Sequence, residues 1–186
     1  MTPSLKHREL TSRRLKFCPL SETFISDRYI SWLNDPVVCR HNSHGVVPYS
    51  REKALNYLQH VQNASDILVY CLVLKDSGEH IGNVSLDHID WTARRADISI
   101  LLGQKDCWGK GYGKEAFQTL AAFAFETLGF QKVSAGMSVH NVAMRSIAES
   151  LGFVKESVLP GAMVKGDESF DVERWGLLNK GTGTHP

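Results

Sequence analysis

The sequence predicts an α+β fold: one mixed, mostly antiparallel sheet of about seven strands flanked by helices. Three observations carry this. First, from Ile67 to Leu102 the apolar residues run in short β-branched stretches broken by turn residues, as in an antiparallel meander. Second, the segments on either side, Arg51–Asn63 and Lys114–Gly129, switch to helical periodicity. Third, the second of those helices separates the strand Ala96–Leu102 from the strand Gln131–Val139, and a helical crossover makes two neighbouring strands parallel. At 186 residues the chain is sized for a single domain, expected over residues 14–178 with loose polar tails at 1–13 and 179–186.

In chain order, Arg14–Cys18 alternates into a short strand ended by Pro19. Phe24, Ile25, Tyr29, Trp32 and Leu33 then recur at helical spacing until Asn34-Asp35-Pro36 stops the helix. Residues Val37–Tyr49 mix polar, aromatic and cationic side chains with Gly45 and Pro48, which predicts a loop-rich segment. Ser50 caps the next helix, whose apolar face is Ala54, Leu55, Leu58 and Val61. Two strands joined by Asp76–Glu79 form a hairpin, and Ala96–Leu102 follows as a third adjacent strand. Past the central helix and the strand Gln131–Val139, Asn141 caps a short helix closed by Gly152. A strand Phe153–Leu159, a loop Gly161–Asp167 and a last strand Ser169–Leu178 complete the sheet.

Composition narrows the partners. A net charge of +1 gives no basic footprint for nucleic acid or an anionic membrane. The four cysteines lack C-x-x-C spacing, which fits reduced thiols in a cytoplasmic protein rather than a disulfide frame or a zinc site, so no metal is expected. No stretch reads as a signal peptide or a bilayer span.

The chemistry-bearing stretch is Ala96–Gly113, a strand followed by W-G-K-G-Y-G and a helix start. Free backbone N–H groups at a helix N-terminus, the helix dipole and side-chain-free glycines together favour a bound phosphate. Two nucleotide loops are excluded by spacing. From Gly103 there are five residues before Gly109, and Lys110 precedes Gly111 rather than Ser or Thr, so it is not a Walker loop. The third glycine, Gly113, comes one residue early for a dinucleotide fingerprint.

Trp108-Gly109-Lys110-Gly111-Tyr112-Gly113 aligns with Q/R-x-x-G-x-G/A, with Trp108 in place of Gln or Arg, and Asn141–Phe153 aligns with N-x-x-S/A followed by L-G-F. In this order and separation the two signatures resemble the GNAT superfamily of acetyl-CoA-dependent N-acetyltransferases, and the helix with Ser31–Pro36 resembles its Rim-type branch. The resemblance implies acetyl-CoA as co-substrate, with Trp108, Gly109, Lys110, Gly111, Tyr112, Gly113 and Lys114 at its phosphates. It implies the pantetheine arm along Ile100, Leu101 and Leu102, and contacts from Asn141 and Arg145. In such a fold the strand carrying Ala96–Leu102 splays from its parallel neighbour at a bulge, leaving a backbone N–H near Leu101 for the oxyanion.

Asp97 stands where some members carry a catalytic base, and otherwise binds substrate. Ala148 and Met144 stand where other members have the tyrosine acid and a serine, leaving direct transfer without a dedicated acid, or a non-catalytic CoA-binding or partner-binding module. The acceptor is a protein N-terminal amine or a small amine or amino sugar, contacted by Arg40, His41, Asn42 and Tyr49 with the Gly161–Asp167 loop. The protein is expected to act as a monomer or homodimer.

Overall fold

The computed structural model describes residues 8–181. Its eight strands are β1 (Leu10–Thr11), β2 (Leu15–Pro19), β3 (Leu68–Leu74), β4 (His80–Asp90), β5 (Arg95–Leu102), β6 (Lys132–Ser138), β7 (Val154–Lys165) and β8 (Glu168–Leu178). They form one sheet in the order β1-β2-β3-β4-β5-β6-β8-β7, antiparallel throughout except for β5–β6. The helices are α1 (Asp27–Asn34), α2 (Arg51–Asn63), α3 (Tyr112–Ala122) and α4 (Val142–Ser150). Among the described residues no helix is long and apolar enough to cross a membrane.

Side-chain alternation on the central strands builds two cores. Tyr70 and Leu72 of β3 join Leu86, Ile98, Phe117, Leu120 and Phe153 on the face covered by α3 and α4. Val69 and Cys71, one position out of phase, join Tyr29, Trp32, Leu33, Ala54 and Leu58 on the face covered by α1 and α2. Each of these two outer helices starts at a serine whose side chain accepts a backbone N–H, Ser26 from Tyr29 and Ser50 from Lys53, both at 3.2 Å.

Three expectations change. The stretch before residue 14 is not all tail: Leu10 and Thr11 pair with Phe17 and Lys16, and the Ser12 hydroxyl donates to Glu115 Oε1 at 2.7 Å. Residues 1–7 and 182–186 lie outside the described residues. The loop expected at Gly161–Asp167 is mostly strand, because β7 absorbs a register shift between Leu159 and Met163 and runs on to Lys165. Its turn is only Gly166–Asp167. Finally, β5 carries no bulge near Leu101. Its rungs with β4 run without a shift from Asp87–Asp97 through Ser85–Ser99 to Gly82–Leu102. The strand is freed on its other edge, where β6 pairs only at Arg95–Lys132, Ala96–Val133 and Asp97–Ser134 before diverging.

Candidate active site

That divergence creates the site. Beyond Asp97, the backbone groups of β5 that would face β6 have no partner strand, and an uncovered backbone edge must be satisfied by something else. A cavity of about 900 Å³ opens there. Ile100, Leu101 and Leu102 form one wall, the glycine turn with Tyr112 and Lys114 another, and Asn141, Met144 and Ile147 at the start of α4 a third. Arg40, His41 and His140 complete it, and Arg40 and Lys114 give it cationic groups while its walls are apolar.

The glycine turn is held from three directions. Gly109 and Gly111 have φ of +72° and +80°, the left-handed region where glycine alone avoids a Cβ clash, and Gly111 leads directly into α3. The Trp108 indole N–H donates to the Leu102 carbonyl at 2.8 Å, which ties the turn to the end of β5. Arg14, in the turn between β1 and β2, donates from Nη1 to the Lys110 carbonyl at 2.9 Å, pairs through Nε with Glu115 at 2.6 Å, and lies 4.2 Å from the centre of the Tyr112 ring. Although burial works against ionisation, the hydrogen bonds that Glu115 accepts from Arg14 and Ser12 hold its carboxyl below the usual carboxylate range. Arg14, Ser12 and Glu115 have no motif signal in the sequence, being separated by about a hundred positions; only the tertiary fold assembles them.

A second cavity of about 260 Å³ lies on the α1–α2 side of the sheet. Its floor is the polar stripe Asn83, Ser85 and Asp87 of β4 with Ser99 and Leu101 of β5, and its walls include Tyr29, Tyr49 and Tyr57. Asn42, Ile100 and Leu101 border both cavities, so the two spaces meet at Leu101. Tyr29 is hydrogen-bonded to Asn83 and Tyr49, and burial raises its phenol pKa so that it stays neutral. Asn83 in turn meets His80 Nε2 at 2.8 Å, whose ring is packed among Phe24, Tyr29 and Trp32. The wall is therefore a linked chain of side chains from Tyr49 through Tyr29 and Asn83 to His80.

Most of the sequence-derived candidates converge. Ile100, Leu101, Leu102, Trp108, Gly109, Gly111, Tyr112, Gly113, Lys114 and Asn141 all border the larger cavity, Asn141 while also capping α4 by accepting the Met144 N–H at 3.2 Å. Arg40 and His41 face the larger cavity rather than the smaller; Asn42 borders both, and Tyr49 the smaller. Three residues are not brought in. Lys110 borders neither cavity and contributes its carbonyl to Arg14. Arg145 turns away from the cavities, donating to Glu173 at 3.2 Å and to the Val139 carbonyl at 2.6 Å, which braces the turn before α4. Asp97 borders neither cavity: Arg174 takes both its oxygens at 2.7 and 3.1 Å.

Asp87, its cross-strand partner, is the carboxylate that lines the smaller cavity. It receives the Ser85 hydroxyl at 2.8 Å, and burial pushes its pKa up. The alternation of Ser85 and Asp87 on a strand was the available signal for it. Ala148, where an acid would be sought, is fully buried in the core. Cys107 borders the larger cavity, but burial raises its thiol pKa, the wrong direction for a nucleophile. No group of three or more potential metal ligands occurs among the described residues.

Comparison with known proteins agrees with this architecture. The family model described as an acetyltransferase (GNAT) domain matches residues 14–154. The chain is 30% identical over 111 residues to the uncharacterized N-acetyltransferase p20 of Bacillus licheniformis, a match spanning 60% of this chain and 62% of that protein. Spermidine N-acetyltransferase from Vibrio cholerae, solved with CoA and spermine, superposes with a TM-score of 0.80 at 20% identity over 90% of this chain and 96% of its own. The ribosomal L7/L12 alpha-N-protein acetyltransferase RimL, solved with coenzyme A, gives 0.81 at 16% identity over 92% and 98%. At these identities the two structures establish the shared fold.

Proposed function

Because the chain belongs to the GNAT acetyltransferase family, we propose that it moves an acetyl group from acetyl-CoA to a primary amine by direct attack, with both substrates bound together. The observation that carries this reading is the meeting of the two cavities at Leu101, beside the unpaired edge of β5. Acetyl-CoA would supply the activated acyl group. The residues present suit it: turn N–H groups at Gly109–Gly113 with Lys114 and Arg40 for the phosphates, the free backbone edge at Ile100–Leu102 for the amide-bearing arm, and a backbone donor there for the developing oxyanion.

The acceptor enters from the tyrosine-walled side. Holding it within reach of the acyl carbon replaces a bimolecular encounter by an oriented one. With the buried Ala148 where a dedicated acid would stand on α4, the departing thiolate takes a proton from the attacking nitrogen. Asp97, charge-compensated by Arg174, is not assigned the role of base, and the first ammonium proton leaves through the open acceptor cavity to solvent.

Thermal or denaturant unfolding with acetyl-CoA at about a hundred times its Kd should show roughly 2.7 kcal/mol of added stability, and free CoA thiol should accumulate with amines. No stabilisation overturns the reading. Stabilisation with no thiol release from any amine or N-terminal peptide favours the non-catalytic CoA-binding module, the reading that Ala148 and Met144 also permit.

A further inference from the structure

The smaller cavity has one carboxylate in its lining, that of Asp87. The rungs Asp87–Asp97, Ser85–Ser99 and Asn83–Leu101 follow one another on the same face of β4 and β5. The Asp87 and Leu101 rungs are four residues apart, about 13 Å along the strands. Leu101 borders the donor cavity, so the acyl end of the space is there and Asp87 is at the far end.

No Lys or Arg lines this cavity. Asp97, across the same rung, keeps Arg174 for itself, and Asp87 is hydrogen-bonded by hydroxyls, those of Ser85 and Ser99. Its ionic surroundings are the exposed His88 on its own strand, Asp97 across the rung, and the neutral Tyr57 phenol from α2. Desolvation and the nearby Lys165 keep His44 from adding charge. A carboxylate withdrawn from water without a cation is costly, and the deficit is one that a cationic ligand removes. The rings of Tyr29, Tyr49 and Tyr57 line the same cavity, surfaces that accept methylene groups and favour a passing cation.

We propose that the acceptor is an aliphatic diamine, whose distal ammonium pairs with Asp87 while its other nitrogen is acetylated beside Leu101. Side-chain and hydrogen-bond reach at the two ends shortens the 13 Å span to roughly 7 Å between nitrogens, the scale of a putrescine or cadaverine chain. In the reaction the proximal ammonium loses one proton to solvent, its lone pair forms the C–N bond, the C–S bond breaks, and the thiolate leaves as CoA thiol with the nitrogen's second proton. The distal nitrogen stays protonated throughout. An acceptor with an anion at that position meets Asp87 and no cation, which excludes it.

This inference rests on the acetyltransferase reading, and the test separates the two. CoA thiol release is followed with cadaverine, with pentylamine, which lacks the distal nitrogen, and with 5-aminovalerate, which replaces it by a carboxylate. A peptide with a free N-terminal serine is run beside them. The expected kcat/KM for cadaverine exceeds that for pentylamine at least tenfold, mostly through KM, with 5-aminovalerate lowest. In Asp87→Asn the cadaverine-to-pentylamine ratio falls to near one. Equal rates on the three isosteres, or faster turnover of the peptide, overturn the diamine while leaving the acetyltransferase reading intact. An Asp87→Asn loss that is the same on cadaverine and pentylamine, and lies in kcat, overturns it as well, since Asp87 would then serve the reacting nitrogen. The isostere comparison on the unaltered protein stands even if the variant does not fold.

Discussion

The two halves of the site are built by different means. The donor half is mostly backbone: the freed edge of β5, the left-handed glycines at 109 and 111, and the N-terminus of α4, all from two short stretches of chain. The acceptor half is side chains, gathered from α1, α2, β4, β5 and the loop between the helices. A ligand that is the same for a whole family can be met by backbone groups that every sequence supplies, provided the glycines and caps are present. A ligand that differs between members must be met by side chains, which can change one at a time.

Substitutions that cross this division should have the largest effects. Gly103 ends β5, and the Trp32 ring of α1 lies flat against it: a Cβ there would fall 2.0 Å from Trp32 Cδ2. Trp32 is 5% exposed and cannot step aside. Gly103→Ala therefore pushes α1 off the sheet and should cost about 3 kcal/mol, read as a lower denaturant midpoint at unchanged m. Because α1 carries Tyr29 and Leu33, acceptor turnover should fall with it. A loss under about 0.5 kcal/mol would show that the halves are mechanically independent.

Gly111→Ala acts on the donor half alone. Its φ of +80° strains any L-residue by about 1–2 kcal/mol, and a Cβ meets only Arg14 Nη2 at an ordinary 3.4 Å, so the strain is conformational. We expect the turn to relax away from its phosphate-binding form, with acetyl-CoA affinity down about tenfold and the KM for amine unchanged. An equal rise in both constants would mean that the turn also orders the acceptor side.

The same division explains what the sequence made legible. The sheet, the crossover and the glycine turn are readable because period, glycine spacing and caps are local properties, and Asn141 does cap α4. On the acceptor side the sequence offers only two loops, the one carrying Arg40, His41, Asn42 and Tyr49 and the one at Gly161–Asp167, because the remaining parts are far apart in the chain. Asp87 and Ser85 sat within an apparently ordinary hairpin strand, and nothing local says that β4 presents them to a cavity under α1 and α2. Arg145 illustrates the converse. It lies inside the second signature, yet it pairs with Glu173 in the last strand and does not border the larger cavity. The loop at Gly161–Asp167 was misjudged because glycine suggests a turn, whereas here Gly161 sits in the irregular stretch of a continuing hairpin.

Asp97 gives the finest test of the comparison, since it occupies a strand position that a sequence pattern marks and a geometry that points elsewhere. Asp87 and Asp97 face each other across one rung, with opposite situations. Asp97 satisfies Arg174 with both oxygens, whereas Asp87 has hydroxyls and a cavity. Removing the Asp97 charge should loosen β5 from β8 through Arg174 and cost about 1 kcal/mol, scaled for a partly exposed pair. Its effect on chemistry should be small, below tenfold in kcat, because its carboxylate borders neither cavity and its charge is held by the Arg174 guanidinium. The measurement is kcat and stability of Asp97→Asn on the best amine, with Asp87→Asn beside it. A hundredfold fall in kcat for Asp97→Asn, with its acetyl-CoA binding intact, would restore Asp97 as the base and require Arg174 to release it when the acceptor binds.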